Sequence, residues 1–208
     1  MKQQILIIHG GDTFLSYQAY IENLRSKKLS IERLKSKSWK DTLERDLGDD
    51  YEVIAPRMPN AQNARYKEWE IWFEKILPLL NNELILLGHS LGGIFLAKYL
   101  SEHSIAKKIK ATFLIAAPFD EAFDPNLKEF ALSGSLWQFA NLGGKIVLYH
   151  SKDDPVVPFH ELQKYKKALP MAEVKTFENR QHFNQAKFLE IIEDIRLSNY
   201  KKNEPSLA

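Results

Sequence analysis

Six short apolar runs punctuate the chain, and most of the stretches between them repeat apolar residues every three or four positions. The runs are Gln4–Ile8, Tyr51–Ala55, Leu84–Leu87, Ala111–Ala116, Lys145–Tyr149 and Ala172–Phe177. Most are near-continuous in Ile, Leu and Val rather than alternating, which is how strands covered on both faces read. Between them, Trp69, Trp72, Phe73, Ile76 and Leu80 fall at i, i+3, i+4, i+7 and i+11 and predict one face of a helix ending near Pro78. Ile94, Phe95, Ala97, Lys98 and Leu100 predict a helix after Gly92-Gly93, and Phe188, Ile191, Ile192 and Ile195 predict a C-terminal amphipathic one. Strand alternating with helix over six strands predicts an α/β fold: a doubly wound, mostly parallel six-stranded sheet with helices on both faces.

The first crossover, residues 12–50, is long and reads as a helical insertion. One helix is expected around Tyr17, Tyr20, Ile21 and Leu24. A second is expected around Trp39, Leu43 and Leu47, with Ser38 and Asp41 in capping-box spacing and Gly48 as its stop. Between them Arg25, Lys27, Lys28, Arg33, Lys35, Lys37 and Lys40 alternate with Glu22 and Glu32. Without interleaved aromatics this reads as a solvated helical surface rather than a polyanion patch.

Composition narrows the classes. The 208 residues, 44% of them hydrophobic, suffice for one core, so residues 1–208 are expected to form a single domain with a frayed tail from about 199. The 29 basic and 27 acidic residues leave a formal charge of +2, which gives no electrostatic reason to bind nucleic acid or an anionic membrane. With no cysteine there is no disulfide framework, thiol nucleophile or thiolate metal site, and no two histidines show ligand spacing on one helix. No cofactor or metal is expected. The apolar run Ile5–Ile8 is too short for a secretory leader, so the cytoplasm is the expected location.

The chemistry-bearing motif is Gly88-His89-Ser90-Leu91-Gly92, placed between the run Leu84–Leu87 and the helix beginning near Leu91. A chain turning from strand to helix within one residue strains its backbone at the serine and crowds the residues two before and two after, which must therefore lack side chains. The helix N-terminus behind Ser90 favours negative charge developing there. A second glycine pair, in His9-Gly10-Gly11, closes the first strand. The backbone N–H groups of Gly11, or of Asp12 beside it, and of Leu91 are the candidate oxyanion donors.

A serine hydroxyl needs a base held by a carboxylate, and in this strand–elbow–helix context the chain order is Ser, then Asp or Glu, then His. Of six histidines only His182 follows the last strand. His9 and His89 lie in turns ahead of any acid, His103 lies at the far end of a helix, and His150 and His160 flank the acid candidates. Asp154, held extended by Pro155, is the favoured acid over Asp153 and Asp120. Phe14, Leu15, Pro118, Phe119 and Trp137 are candidates for an apolar acyl pocket. The short segment after Ala117 implies a small lid and short or medium acyl chains.

These residues resemble the α/β-hydrolase superfamily. More narrowly they are similar to the small serine hydrolases that include retinoblastoma-binding protein nine and the bacterial YdeN-type proteins. The likeness runs through His9-Gly10-Gly11, Met58-Pro59-Asn60, the serine elbow, Asp153-Asp154-Pro155 with Pro158, and His182-Phe183. It implies a carboxylesterase-like serine hydrolase with nucleophile Ser90, base His182 and, as the second Asp of the pair, acid Asp154. The long 12–50 crossover departs from the compact pattern. The partner so implied is a small-molecule acyl substrate, and nothing in the sequence indicates a protein partner. The rival readings are a thioesterase or peptidase using the same triad, and a protein-interaction module on the same fold.

Overall fold

The computed structural model describes residues 2–199; the expected frayed tail therefore falls almost wholly outside the described residues. Six strands form one sheet: β1 (Gln3–Ile8), β2 (Tyr51–Ile54), β3 (Glu83–His89), β4 (Lys108–Ile115), β5 (Lys145–Ser151) and β6 (Glu173–Phe177). Their spatial order is β2-β1-β3-β4-β5-β6 and every pairing is parallel. The sheet is thus wholly parallel, where the sequence predicted mostly parallel.

The apolar runs bury both ways because alternate residues enter two separate cores. Leu6, Ile8, Leu84, Leu86, Leu114 and Leu148 face one layer, made by α4 (Tyr66–Ile76), α5 (Leu91–Glu102), α6 (Trp137–Leu142) and α7 (His160–Ala168). Ile5, Ile7, Ile85, Leu87, Phe113, Ile115, Val147 and Tyr149 face the other, made by α3 (Leu43–Leu47) and α8 (Leu189–Asn199). On α4, Trp69 and Phe73 are fully buried, while Trp72, at the edge of the predicted stripe, is 42% exposed. The helix ends at Ile76 and tightens into a 3₁₀ turn over Leu77–Leu79, where Pro78 has no N–H to continue the ladder.

The 12–50 crossover carries more structure than predicted. α1 (Tyr17–Ser26) matches the first expected helix, capped by Ser16 accepting from the Ala19 N–H. A further short helix, α2 (Ile31–Lys35), falls among the basic residues. The second expected helix is split into a 3₁₀ turn, Trp39–Asp41, and α3. Asp41 receives the Ser38 N–H as the spacing predicted, and Gly48 at φ 97° ends α3.

The parallel order brings the loops after β1, β3, β4, β5 and β6 to one end of the sheet. β1 and β3 are neighbours there while their connections leave in opposite directions, the switch point where open α/β sheets bind ligands.

Candidate active site

Ser90 sits at that switch point. Its backbone, φ 55° and ψ −124°, lies outside the regions side-chain-bearing residues ordinarily adopt, and it is pinned by its N–H donating to Ile115 O at 2.8 Å. The glycine requirement is steric. A Cβ on Gly88 would stand 2.6 Å from Gly92 O, and one on Gly92 would run into the backbone of Ile8 and His9. Strand β1 and helix α5 approach too closely for any side chain at position 92.

The loop after β1 is fixed by His9. Its Nε2 accepts the Met58 N–H at 2.9 Å, which sets the tautomer in which Nδ1–H donates to Gly10 O at 2.6 Å. Trp69 holds the opposite loop through Nε1–H to Pro59 O at 2.8 Å. Of the two candidate donors here, Asp12 spends its N–H on Ala61 O at 2.8 Å, whereas the N–H of Gly11 has no partner among the described residues. The Leu91 N–H is equally unspent, and Gly11 packs against the Leu91 side chain. Gly11 also needs to be glycine, since a Cβ there would lie 2.5 Å from Ala61 O.

His182 and Asp154 meet across the loops after β6 and β5. His182 Nδ1–H faces both carboxylate oxygens, at 2.9 Å (Oδ2) and 3.1 Å (Oδ1). The Asp154 side chain is fully buried, and its Oδ1 also accepts the N–H groups of Val156 at 2.8 Å and Val157 at 3.0 Å. The other two acids are committed elsewhere. Asp153 accepts Ser151 Oγ–H and the Gln181 N–H, and so ties the His182 loop to β5. Asp120 pairs with Lys164 at 2.7 Å. His150 is buried and donates from Nε2 to Val157 O, bracing the acid turn, and burial holds its pKa below the usual imidazole value.

The His182 loop is strained on both sides, with Gln181 at φ 48° and Phe183 at φ 53°. Besides Asp153 and Asp154, the 12–50 crossover helps to hold it. The indole N–H of Trp39 donates to Phe183 O at 2.8 Å, the Trp39 backbone N–H donates to Gln185 O, and Phe183 is fully buried. Next to Trp39, Lys40 reaches inward and donates to His89 Nδ1 at 3.3 Å, and His89 Nε2–H donates to His182 O at 2.8 Å. The rings of His89 and His182 lie 4.9 Å apart. No hydrogen bond joins Ser90 Oγ to His182 in this structure.

The link through Lys40 and His89 escapes a sequence reading, because no local pattern connects a lysine in a basic stretch with the middle residue of the elbow. Burial pushes Lys40 down to about 8, against a smaller opposing effect of Asp41. Burial first, and then the Lys40 charge, hold His89 well below the usual imidazole range, so it stays neutral with Nδ1 as acceptor. Between pH 8 and the unfolded lysine value near 10.4 the unfolded chain binds the extra proton, so Lys40 makes stability rise with pH across that window. Wild type is expected to gain on the order of 2–3 kcal/mol over Lys40→Met between pH 7 and 10.5. Denaturant unfolding of both proteins across that range checks it, and a pH-independent difference contradicts it.

In front of Ser90 lies a cavity of about 270 Å³, lined by Phe14 and Pro118 of the five expected pocket residues and by the candidate oxyanion donors Gly11 and Leu91. Three expected pocket residues stand outside it. Leu15 is 63% exposed, and it is its backbone N–H that contributes, by donating to Asn126 Oδ1. Phe119 turns away to pack edge-on against Tyr165. Trp137 opens α6 and is 73% exposed, far enough along the post-β4 segment to miss the mouth. In their place the roof comes from Asn23 of α1 and from Phe123, Asp124, Asn126 and Leu127, with Val156 and Val157 on the β5 side. A larger cavity at the other end of the sheet, lined by Gln3, Glu83, Lys110 and Arg196, contains none of these groups.

Away from the elbow, Glu70 and Glu74 of α4 and His103 bring ligand atoms within 4.8 Å of one another, a grouping that spacing along a single helix does not reveal. The Glu70 carboxylate is already engaged by Lys67 and by His103 at 3.0 Å.

No curated protein sequence matches the chain. Among solved structures it is similar to the ydeN gene product of B. subtilis, at 17% identity and a TM-score of 0.73 over 95% of this chain and 98% of that one. It is also similar to a putative hydrolase from Agrobacterium vitis (16% identity, TM-score 0.61, 95% and 88% covered). A lipase-esterase related protein from Clostridium acetobutylicum is a further match (13% identity, TM-score 0.58, 94% and 93% covered). At such identities these likenesses speak to the fold, which is that of the α/β-hydrolases. The sequence model of the serine hydrolase family matches residues 32–196, from α2 through the elbow to α8, and the chain belongs to that family of enzymes.

Proposed function

We propose that this protein hydrolyses carboxylic esters of small acids through an acyl-enzyme on Ser90. The observation that carries the reading is the pairing of Asp154 with His182 Nδ1 at the same end of the sheet as the strained serine. That pairing leaves Nε2 unprotonated and free to take a proton.

Ser90 Oγ attacks the carbonyl carbon as His182 Nε2 takes the hydroxyl proton, and the imidazolium that forms is steadied by the buried Asp154 carboxylate. The Oγ–Nε2 hydrogen bond is made as substrate binds, by rotation of the serine side chain. The oxyanion receives the N–H groups of Gly11 and Leu91, reinforced by the N-terminus of α5. Collapse breaks the ester C–O bond, and His182 returns the proton to the departing alcohol. Water then attacks the acyl-enzyme, again giving its proton to His182, which passes it back to Ser90 Oγ as the carboxylic acid leaves.

The small cavity favours short acyl chains. The lipase-esterase related protein among the similar folds makes an ester the first substrate to try. A cytoplasmic location agrees with the absence of cysteine, and no helix among the described residues is long and apolar enough to cross a membrane. The test is turnover of 4-nitrophenyl butyrate by the wild type beside Ser90→Ala. Turnover that depends on Ser90 supports the reading, and equal turnover by both proteins contradicts it. A preference for long-chain over butyryl esters overturns the short-chain assignment.

A further inference from the structure

The cavity at Ser90 is not the apolar slot that an alkyl ester would need throughout. Phe14, Leu91, Pro118, Phe123, Leu127, Val156 and Val157 give it apolar lining, but Asp12, Thr13, Asn23, Asp124 and Asn126 line it too. The ionisable side chains among the lining residues are both carboxylates, and no lysine, arginine or histidine is among them. The two carboxylates differ in what they have left to give. Asp12 is neutralised by Lys27 at 2.7 Å. Asp124 has no cationic partner among the described residues.

Asp124 is held in place all the same. Its Oδ1 accepts the Asn126 backbone N–H at 3.0 Å and the Asn126 amide at 2.8 Å. The amide is oriented in turn, since Asn126 Oδ1 takes the Leu15 N–H at 3.1 Å. The second carboxylate oxygen of Asp124 is left for something else. Asn23 of α1 also lines the cavity, but its Oδ1 is closed off from solvent. A fixed carboxylate without its cation draws a positive donor and repels a negative one.

We infer that the substrate of the Ser90 site carries a primary ammonium group, which Asp124 receives, and that carboxylate-bearing acyl groups are rejected. This rests on the ester-hydrolase reading above and specifies its substrate class. The acyl groups that fit pair a short spacer with an amine.

Three methyl esters matched in length test it: those of β-alanine, butyric acid and succinic acid (the monoester). They place an ammonium, a methyl and a carboxylate at the same distance from the scissile carbonyl. For the wild type, kcat/KM is expected to be at least about tenfold higher for the β-alanine ester than for butyrate, and lowest for succinate. In Asp124→Asn the ratio of β-alanine to butyrate is expected to fall towards one. Turnover of 4-nitrophenyl butyrate is measured alongside. If that ester is turned over but the three methyl esters show no order, or the order survives in Asp124→Asn, the ammonium site is overturned and the hydrolase reading stands. If 4-nitrophenyl butyrate is not turned over either, both fall.

Discussion

Replacing Ser90 with alanine is expected to lower kcat on 4-nitrophenyl butyrate by about 10⁴–10⁶-fold, the scale of single-member deletions from such triads. Fold stability should change little. The strain at position 90 is carried by the backbone, at φ 55°, and by the Ile115 hydrogen bond, both of which an alanine keeps. Alanine and serine are equally disfavoured in that conformation, so the variant loses only the oxygen. Residual turnover above water would come from Gly11, Leu91 and the helix terminus, which still hold an oxyanion without a covalent step. Steady-state kinetics paired with thermal unfolding distinguishes this from collapse of the site: kcat falls by orders of magnitude while the melting temperature stays within a few degrees. A large loss of stability would mean that the serine hydroxyl is structural.

The second large effect is expected from Asp154→Asn, at up to about 10⁴-fold in kcat. Size and shape are conserved, and the asparagine carbonyl can still accept from Val156 and Val157, as Asp154 Oδ1 does now. With the carbonyl so engaged, the amide N–H₂ faces His182 Nδ1 where a carboxylate stood. That arrangement selects the tautomer with the proton on Nε2, which cannot take the proton of Ser90. The matching control is Asp120→Asn, expected to stay near wild type because Asp120 is tied to Lys164 rather than to the imidazole. Near-normal activity in Asp154→Asn with loss in Asp120→Asn would reverse the assignment of the acid.

What the sequence revealed and what it hid have a common physical basis. The central strands β1, β3, β4 and β5 were legible to within a few residues because they are buried on both faces, and a run rich in Ile, Leu and Val has no other stable destination; the edge strands β2 and β6 are only partly buried. The elbow was legible because two close backbone approaches, Gly88 on Gly92 and Gly92 on Ile8, leave glycines at fixed spacing. The order Ser90, Asp154, His182 follows from strand order. The pocket was less legible. Its roof depends on how α1 and the segment after β4 fold over the mouth, and that is decided by contacts such as Leu15 with Asn126, 111 residues apart. Leu15, Phe119 and Trp137 were chosen for being apolar and near the right loops, whereas the cavity selected Asn23, Asp124 and Asn126 instead.

The 12–50 crossover shows the same divide. Its capping residues Ser38 and Asp41 and its stop Gly48 are local signals and could be read. That Trp39 and Lys40 brace the loop of His182, through Phe183 and His89, is a long-range arrangement with no periodicity to announce it.

The central claim is that Ser90 is activated by His182. The most direct measurement is covalent labelling by a fluorophosphonate at neutral pH of the wild type, Ser90→Ala and His182→Ala, each shown to be folded. The account predicts rapid labelling of the wild type at Ser90, none of Ser90→Ala, and a rate for His182→Ala reduced by orders of magnitude. A folded wild type that resists the reagent, or equal labelling of His182→Ala, would contradict it.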